Sequence, residues 1–388
     1  MWICRMRVLC LWLILVGMPI SVVAQTTLAG EIEFGSRFFP EDGLSAQQKQ
    51  FFPVIQGTLR AARVSERGNH HWRLHVFGRA NVRDRRESHA ELREATWAWR
   101  PNQTWDVRGG ILADEWGFTE SNTVIDIVNQ RDHLEAPNGD AKLGQPGLSF
   151  VSRLPAGRLA VYGLPWHRTW RFAGSAGRFR PPVKVDEDQA ASATPAWAAR
   201  WDLKKRRFEI GLSQFKGVSR EPAIEAAAAG FRASYPLVHQ TGAALQLVLG
   251  TGLLKADLVH VRSRDRRSFT GFTVGGELPL ALGATDLTVL AEFTYDQRGR
   301  DAPTGLDRDV LMAVRWSANN AAGTEATASS MIDMRSGAQT LRASISRRLS
   351  AAWRWTAESH VLVHPQQGEF GYWLRRDSFV QIGIARFF

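Results

Sequence analysis

The side chains best placed for chemistry are arginines that recur at alternate positions of a regular stretch. In residues 72–83, WRLHVFGRANVR, Arg73, Arg79 and Arg83 share one face, and the opposite face is apolar. A guanidinium group donates paired hydrogen bonds to carboxylate, phosphate or sulfate oxygens, so this face could guide anions. One apolar side and one wet side are typical of a strand between lipid and a water-filled lumen. Taken alone, an edge strand of a basic soluble sheet fits as well.

The same alternation places other arginines on the polar faces of predicted strands. The candidate lumen and anion-binding residues are Arg60, Arg73, Arg79, Arg83, Arg108, Arg200, Arg315, Arg342 and Arg348. Inward acids, including Asp106, Asp202 and Glu292, could pair with several of them. We therefore expect the charge selectivity of such a lumen to be slight.

Motifs for catalysis and metal binding are missing from the sequence. Ser359 and His360 are adjacent, but neighbours in a strand point to opposite faces and cannot share a site. There is no Gly-x-Ser-x-Gly and no His-Glu-x-x-His. We expect no catalytic residue, metal or cofactor, and a membrane-embedded lipid hydrolase is the least favoured interpretation.

Residues 1–24 predict a cleaved secretory signal peptide. Arg5 and Arg7 precede an apolar run from Val8 to Met18 that is too short to cross a bilayer as a helix. Both cysteines lie in this segment. The mature chain, residues 25–388, is thus predicted to use neither disulfides nor thiol chemistry.

The chain is basic, with 49 Lys and Arg against 38 Asp and Glu, and only seven of the basic residues are lysine. An excess of arginine suits anionic solutes or lipid head groups, although high-GC codon usage would give the same composition. Nucleic-acid binding is not expected, because an exported chain meets little nucleic acid and the arginines are spread along strands.

Eighteen alternating segments can be counted, an even number as in bacterial single-chain barrels. We predict an all-β fold, a transmembrane antiparallel up-and-down β-barrel of about eighteen strands, with sixteen as the alternative count. The segments lie near residues 27–39, 53–64, 72–83, 88–99, 104–113, 147–154, 157–164, 196–204, 207–215, 236–249, 252–263, 267–281, 285–296, 307–319, 321–334, 338–349, 352–364 and 376–388.

Connection length alternates along the chain. Even-numbered connections are mostly tight turns, and the longest linkers, 114–146, 165–195 and 216–235, are all odd-numbered. Outer-membrane barrels have short periplasmic turns and long external loops, whereas a soluble sandwich has no reason to separate them. We expect these three linkers to be external loops.

The 114–146 linker is predicted to narrow the lumen. Ser121 or Asn122 could cap a short helix over 123–129 whose face with Val124 and Ile127 is apolar. Folding inward would bury that face, and a lid over the mouth is the alternative. The charged residues of this constriction loop are Glu120, Asp126, Arg131 and Asp132.

The 165–195 linker is rich in arginine. Arg168, Arg171, Arg178 and Arg180 could collect anions at the entrance or bind lipopolysaccharide phosphates, and the sequence favours neither.

Outward tryptophans fall near strand ends, where the interfacial girdles of a barrel lie. Placing Trp97 and Trp99 toward lipid also places Arg93 there, unless a bulge changes the register or Arg93 reaches the head groups. The terminal Phe388 follows alternating apolar residues, as in a signal for the barrel-assembly machinery, although Arg386 departs from that pattern.

The sequence resembles uncharacterised, porin-like outer-membrane β-barrel proteins of Gram-negative bacteria. The resemblance implies fold and outer-membrane location, but no substrate or catalytic residue. It rests on Leu92–Ala95, Trp116–Ser121, Asp126–Asp132, Lys142–Pro146, Gly217–Pro222 and Tyr295–Arg300.

The leading functional hypothesis is a passive outer-membrane channel for small polar or anionic solutes. An export conduit for an anionic polymer would have the same lumen chemistry and stays open. The expected partners are these solutes, outer-membrane lipid and lipopolysaccharide, and the barrel-assembly machinery. The sequence does not distinguish a monomer from a trimer.

Overall fold

A computed structural model describes residues 26–135, 140–181, 185–187, 193–227, 230–367 and 370–388. The predicted signal peptide lies outside the described residues. None of the helices in the described part of the chain is long and apolar enough to cross a membrane.

Eighteen long strands form one closed antiparallel sheet, so the predicted barrel and its strand count are confirmed. Numbered in chain order with the short strands included, they are β1 (Thr26–Phe38), β2 (Phe51–Val64), β3 (His70–Asn81), β4 (His89–Trp99), β5 (Trp105–Leu112), β8 (Gln145–Leu154), β9 (Gly157–Leu164), β11 (Ala196–Lys204), β12 (Phe208–Val218), β15 (Leu237–Leu249), β16 (Gly252–Ser263), β17 (Phe269–Leu282), β18 (Thr285–Asp296), β19 (Arg308–Ser317), β20 (Glu325–Asp333), β21 (Gln339–Arg348), β22 (Trp353–Val363) and β23 (Phe379–Phe387).

The remaining elements are short and lie in the connections. β6 (Gln130–Arg131) pairs with β7 (Lys142–Leu143), and β10 (Val185–Glu187) joins β13 (Ala223–Ala227) and β14 (Gly230–Ser234) in a three-stranded sheet. Single helical turns cover Arg85–Glu87, Gly299–Asp301 and Phe370–Trp373.

Each barrel strand pairs with the next one along the chain, and β1 pairs with β23 to close the ring. Closure leaves no strand edge with unpaired backbone groups, which hydrocarbon would not tolerate. The outward side chains form an exposed apolar band that includes Leu28, Phe34, Trp72, Leu148, Leu258 and Ile382. Buried polar residues fill the inner face, among them Asp106, Arg108, Arg200, Asp257 and Glu292.

Connections of unequal length leave the two rims of the barrel. One, the tight-turn rim, carries 65–69, 100–104, 155–156, 205–207, 250–251, 283–284, 318–324 and 349–352. The other, the long-loop rim, carries every remaining connection, including 113–144, 165–195 and 219–236. The tryptophans expected near strand ends lie near the tight-turn rim: Trp97, Trp99, Trp316 and Trp355.

A β-bulge resolves the position of Arg93. The β3–β4 register shifts between His75 and Val76, so Arg93 has no direct cross-strand partner and turns into the lumen. Its guanidinium carbon lies 3.9 Å from the Phe77 ring centroid, and the group forms an ion pair with Glu135. Of the two alternatives for this strand, the bulge is correct.

The closing seam between β1 and β23 depends on a glycine. The Gly30 amide donates to the Phe388 carbonyl at 2.9 Å, and a Cβ at position 30 would overlap the Phe388 ring. Arg386 faces outward with its guanidinium carbon 5.8 Å from the Trp353 ring centroid, where a long side chain can reach water at the interface.

We expect Gly30→Val to destabilise the barrel by about 1–3 kcal/mol, because the new side chain must displace the terminal ring. The folded fraction, read from heat-modifiable migration on SDS gels and from urea unfolding, measures the effect. Gly78→Val is the matched control, since a Cβ at position 78 meets no atom within 4 Å. Equal behaviour of the two variants would contradict a packed seam.

Candidate functional site: a loop that crosses the lumen

The connection 113–144 is here called the lumen loop, and its described residues lie inside the barrel rather than over its mouth. Ile125 is fully buried, and Ile125, Ile127 and Val128 belong to one apolar cluster with inward residues of the wall. Tyr162, Phe215 and Val259 are among these wall residues. Apolar burial therefore holds the loop against the wall of β8 to β16.

The predicted helix over 123–129 is wrong. The segment has only local turns, in which the Val124 amide donates to the Asn122 carbonyl and the Asp126 amide to the Thr123 carbonyl. Two of its carbonyls are used elsewhere: that of Ile125 accepts from Gln240 and that of Ile127 from Arg220. Because each backbone group needs a partner, these distant side chains replace the helical hydrogen bonds.

Two buried wall carboxylates hold the loop by its backbone. Asp257 accepts from the Phe118 amide at 3.1 Å and from the Thr119 hydroxyl at 2.6 Å. Glu292 accepts from the amides of Glu120 at 2.9 Å and Ser121 at 2.6 Å. Strand alternation puts both acids on the inner face, but the sequence did not reveal this role. The one sequence feature that pointed to this role was a pair of inward acids on β16 and β18, the two neighbours of β17.

The loop crosses the lumen between these anchors and the opposite wall. Glu120 forms ion pairs with Lys255, at 3.1 Å, and with Arg315. At the far side, Asp132 lies 3.3 Å from His89. Arg79 donates there to the Glu135 carbonyl at 3.2 Å. Glu120 and Asp132 thus contact residues of the wall.

Asp126 and Arg131 were predicted to be charged residues of the constriction, but both bind residues of the lumen loop and not of the wall. Asp126 pairs with Lys142 at 2.8 Å, and Arg131 donates to the Asn122 side chain at 3.1 Å. Both groups therefore stabilise the lumen loop itself.

Most of the predicted lumen arginines are already paired with acids. The pairs are Arg73 with Glu94 at 2.9 Å, Arg79 with Glu87 at 3.6 Å, Arg108 with Asp114 at 2.6 Å, Arg200 with Asp202 at 2.6 Å, and Arg342 with Asp140 at 3.9 Å. Arg60 and Arg348 are exposed and form no ion pair with any described residue. The prediction that Arg83 lines the lumen is wrong. β3 ends at Asn81, and the exposed Arg83 side chain lies beyond it and donates to the Phe51 carbonyl.

Several inward arginines keep solvent-exposed side chains although the loop crosses the lumen. The side chains of Arg73, Arg315 and Arg342 are 52%, 43% and 39% exposed. They lie on β3, β19 and β21, and Arg60 lies on β2. Since β23 closes onto β1, these strands belong to one continuous wall.

Described residues of the second long connection, 165–195, pack against other segments at the long-loop rim. Arg178 is 2% exposed, pairs with Asp377 at 2.7 Å and stacks on Phe39. Arg168 and Arg171 both pair with Glu91. These guanidinium groups bind acids of the chain itself, a pairing that the sequence did not indicate.

A buried contact joins the three long connections. Arg220 donates to Nδ1 of His167 at 2.6 Å, and since arginine has no acceptor, this nitrogen is unprotonated. Burial, together with the charge of Arg220, lowers the pKa of His167 to about 3. Gln130 of the lumen loop accepts from the Trp170 indole at 3.0 Å nearby.

No protein-family model matches the sequence, and a comparison with curated proteins finds no match. Among solved structures, Wzi of Escherichia coli is similar at a TM-score of 0.57 and 10% identity, over 93% of this chain and 84% of that one. A BenF-like porin of Pseudomonas fluorescens Pf-5 gives 0.54 and 12%, over 94% and 98%. OccK1 (OpdK) of Pseudomonas aeruginosa gives 0.53 and 12%, also over 94% and 98%.

The chain has the fold of porin-like outer-membrane β-barrels. The predicted architecture, a multi-pass β-barrel of the Gram-negative outer membrane, agrees with these neighbours and with the apolar outer band. At this level of identity the likeness concerns the fold, so it assigns no role to individual residues.

We expect Glu292→Ala to weaken attachment of the lumen loop by about 1–3 kcal/mol, because two amides lose their acceptor inside the barrel. Limited proteolysis of detergent-solubilised protein should then cut within 118–135 faster than in the wild type. Glu66→Ala, at an exposed turn, removes the same group as a control. Unchanged proteolysis would show that Glu292 does not hold the loop.

The His167 contact predicts a stability change with pH. Its pKa in the fold, about 3, is below the ordinary 6.5, so the contact stabilises fully above about 6.5 and weakens as the pH falls toward 3. Between pH 7 and pH 5 the unfolding midpoint of the wild type should fall further than that of His167→Gln, which keeps an acceptor but does not titrate. Parallel decreases would contradict this account.

Proposed function

We propose that this protein is a passive channel of the outer membrane for small polar solutes, with a modest preference for anions. The proposal is carried by one observation: the lumen loop crosses a barrel of eighteen strands, while inward arginines of the wall from β19 to β3 stay exposed. A barrel of this width is too wide for its own wall side chains to fill, so an in-folded loop sets the size of the passage. We further propose that the long-loop rim faces outward.

Charges of both signs line the proposed passage. Arg315 and Arg342 of the wall face Glu120 and Asp140 of the lumen loop. Glu31 and Glu33 share the open wall with Arg60, which has no ion pair among the described residues. Because bases and acids are interspersed, we expect size to limit passage more strongly than charge does.

Other solved barrels are compatible with this proposal. The structure of OpdK of P. aeruginosa has been solved with vanillate, a small organic anion with one carboxylate group. The proposal for this chain rests on the crossing loop and on the exposed inward arginines.

Export of an anionic polymer is the second candidate. The crossing loop favours it less, since a polymer strand would need a wider opening. Wzi is described as a carbohydrate-binding β-barrel involved in capsule assembly. A cleft of about 710 Å³ at the long-loop rim, lined in part by Arg266, Arg267 and Arg300, favours polymer binding at the mouth over passage.

Hydrolysis is the least favoured candidate. Ser359 pairs with the outward Val380, whereas the His360 ring lies 5.5 Å from that of the buried Phe379. The two side chains lie on opposite faces of the sheet, as the sequence predicted. Within the described residues no group of acids, histidines or cysteines could hold a metal ion.

The double variant Arg315→Ala and Arg342→Ala should shift selectivity toward cations, because Glu120 and Asp140 lose their partners. We expect about 1 kcal/mol per charge in a wet lumen, or about a fivefold change in permeability ratio for each. Reversal potentials in planar bilayers under a salt gradient measure it. Arg67→Ala, in an exposed turn, is the control. Unchanged reversal potentials, or no conductance from the wild type, would contradict the proposal.

A further inference from the structure

Arg220 is a buried cation that pairs with none of the described carboxylates. It is 6% exposed and forms no ion pair with any described residue. Nε donates to the Ile127 carbonyl at 2.9 Å, Nη1 to His167, and the guanidinium carbon lies 5.2 Å from the Phe215 ring centroid. Nη2 is buried and has no hydrogen-bond partner among these residues. A buried charge in such surroundings is costly unless an opposite charge compensates it.

Burial does not remove this charge. The pKa of Arg220 is lowered to about 10 by desolvation, and the nearby Asp126 opposes that shift. At neutral pH the group therefore stays protonated. Its neighbour His167 is neutral and supplies no compensation.

The surrounding acids are each committed to another base. Asp126 pairs with Lys142 at 2.8 Å, and Glu221 pairs with Arg298 at 3.0 Å. Arg298 also pairs with Asp296 at 2.6 Å. Arg131 adds a further guanidinium group whose hydrogen bond goes to the neutral Asn122. The cluster thus carries one positive charge more than its carboxylates balance.

A small cavity lies against this cluster. It measures about 40 Å³ and is lined by Asp126, Arg131, Lys142, Trp170, Arg220 and Glu221, among others. By the same measure a water molecule needs about 10–15 Å³, so the cavity has room for a small ion or a few waters. Val124, Asp126, Arg220 and Glu221 also line the larger cleft at the long-loop rim, which gives a route from outside.

We propose that this cavity binds a small monovalent anion, either a chloride-sized ion or the single carboxylate group of an organic solute. The anion would accept from Nη2 of Arg220 and balance the excess charge where the lumen loop, the 165–195 connection and the 219–236 connection meet. Binding would tie these three segments together. This site is distinct from the predicted lumen arginines and does not depend on solute passage through the barrel.

Bromide, which replaces chloride and scatters anomalously, locates the site directly. Crystals of the detergent-solubilised protein grown in bromide should show an anomalous peak beside Arg220. In solution, the unfolding midpoint should rise saturably as chloride replaces gluconate at constant ionic strength. Gluconate is the reference anion, because its hydroxyl-rich body does not match the apolar side of the adjoining cleft.

Arg220→Gln should weaken the chloride response about tenfold or more, since a charged hydrogen bond is lost. Arg67→Gln, which removes the same charge at an exposed turn, should keep it. If Arg220→Gln does not fold, Arg131→Gln tests the same cluster. Loss of the chloride response in the folded cluster variant, but not in Arg67→Gln, supports the site, and an unchanged response in that variant contradicts it.

Acetate and hexanoate separate the two possible sources of the anion. Tighter binding of hexanoate than of chloride and acetate would indicate a solute whose apolar body lies in the cleft beside Val259, Val261 and Phe269. Equal binding of chloride and acetate would indicate a small resident ion. The proposal is overturned if no anomalous peak lies at Arg220 and no anion raises the midpoint. Because these are equilibrium measurements, they give their answer whether or not the barrel conducts.

Discussion

The structure depends on one constraint, the need of every backbone amide and carbonyl in hydrocarbon for a hydrogen-bond partner. A sheet meets it only by closing, and here β23 closes onto β1, where Gly30 leaves room for Phe388. Closure with eighteen strands fixes a wide ring. The ring then creates a second requirement, because its interior must be filled by water or by the chain itself.

The chain fills much of the interior with its own long connections, held by buried charges. Asp257 and Glu292 accept hydrogen bonds from loop amides, and Arg178 of the second connection pairs with Asp377, just before β23. Buried pairs of this kind contribute modestly to net stability, but breaking one leaves an uncompensated charge. They therefore fix the position of the loops, and through it the size and lining of the proposed passage.

Local patterns in the sequence were sufficient for the barrel but not for its contents. Alternation placed Trp72 outward and Arg73 inward, because lipid and water impose a period of two on each strand. The 123–129 helix was predicted wrongly because the partners of that segment, Gln240 and Arg220, are far away in the chain. The arginine pairs were equally hidden, since they depend on loop positions and on register. The inward position of Arg93 depends on the bulge in β4, and no single residue type predicts where a bulge lies.

The central claim, that the lumen loop lies inside the barrel, can be tested with a designed disulfide. The hydroxyls of Ser121 and Thr294 lie 3.2 Å apart, and both cysteines of the sequence fall in the predicted signal peptide. The account predicts that Ser121→Cys with Thr294→Cys oxidises to an intramolecular disulfide in intact cells, seen as a mobility shift on non-reducing gels. Thiols that stay free and react with impermeant reagents from outside would place the loop over the mouth and contradict the account.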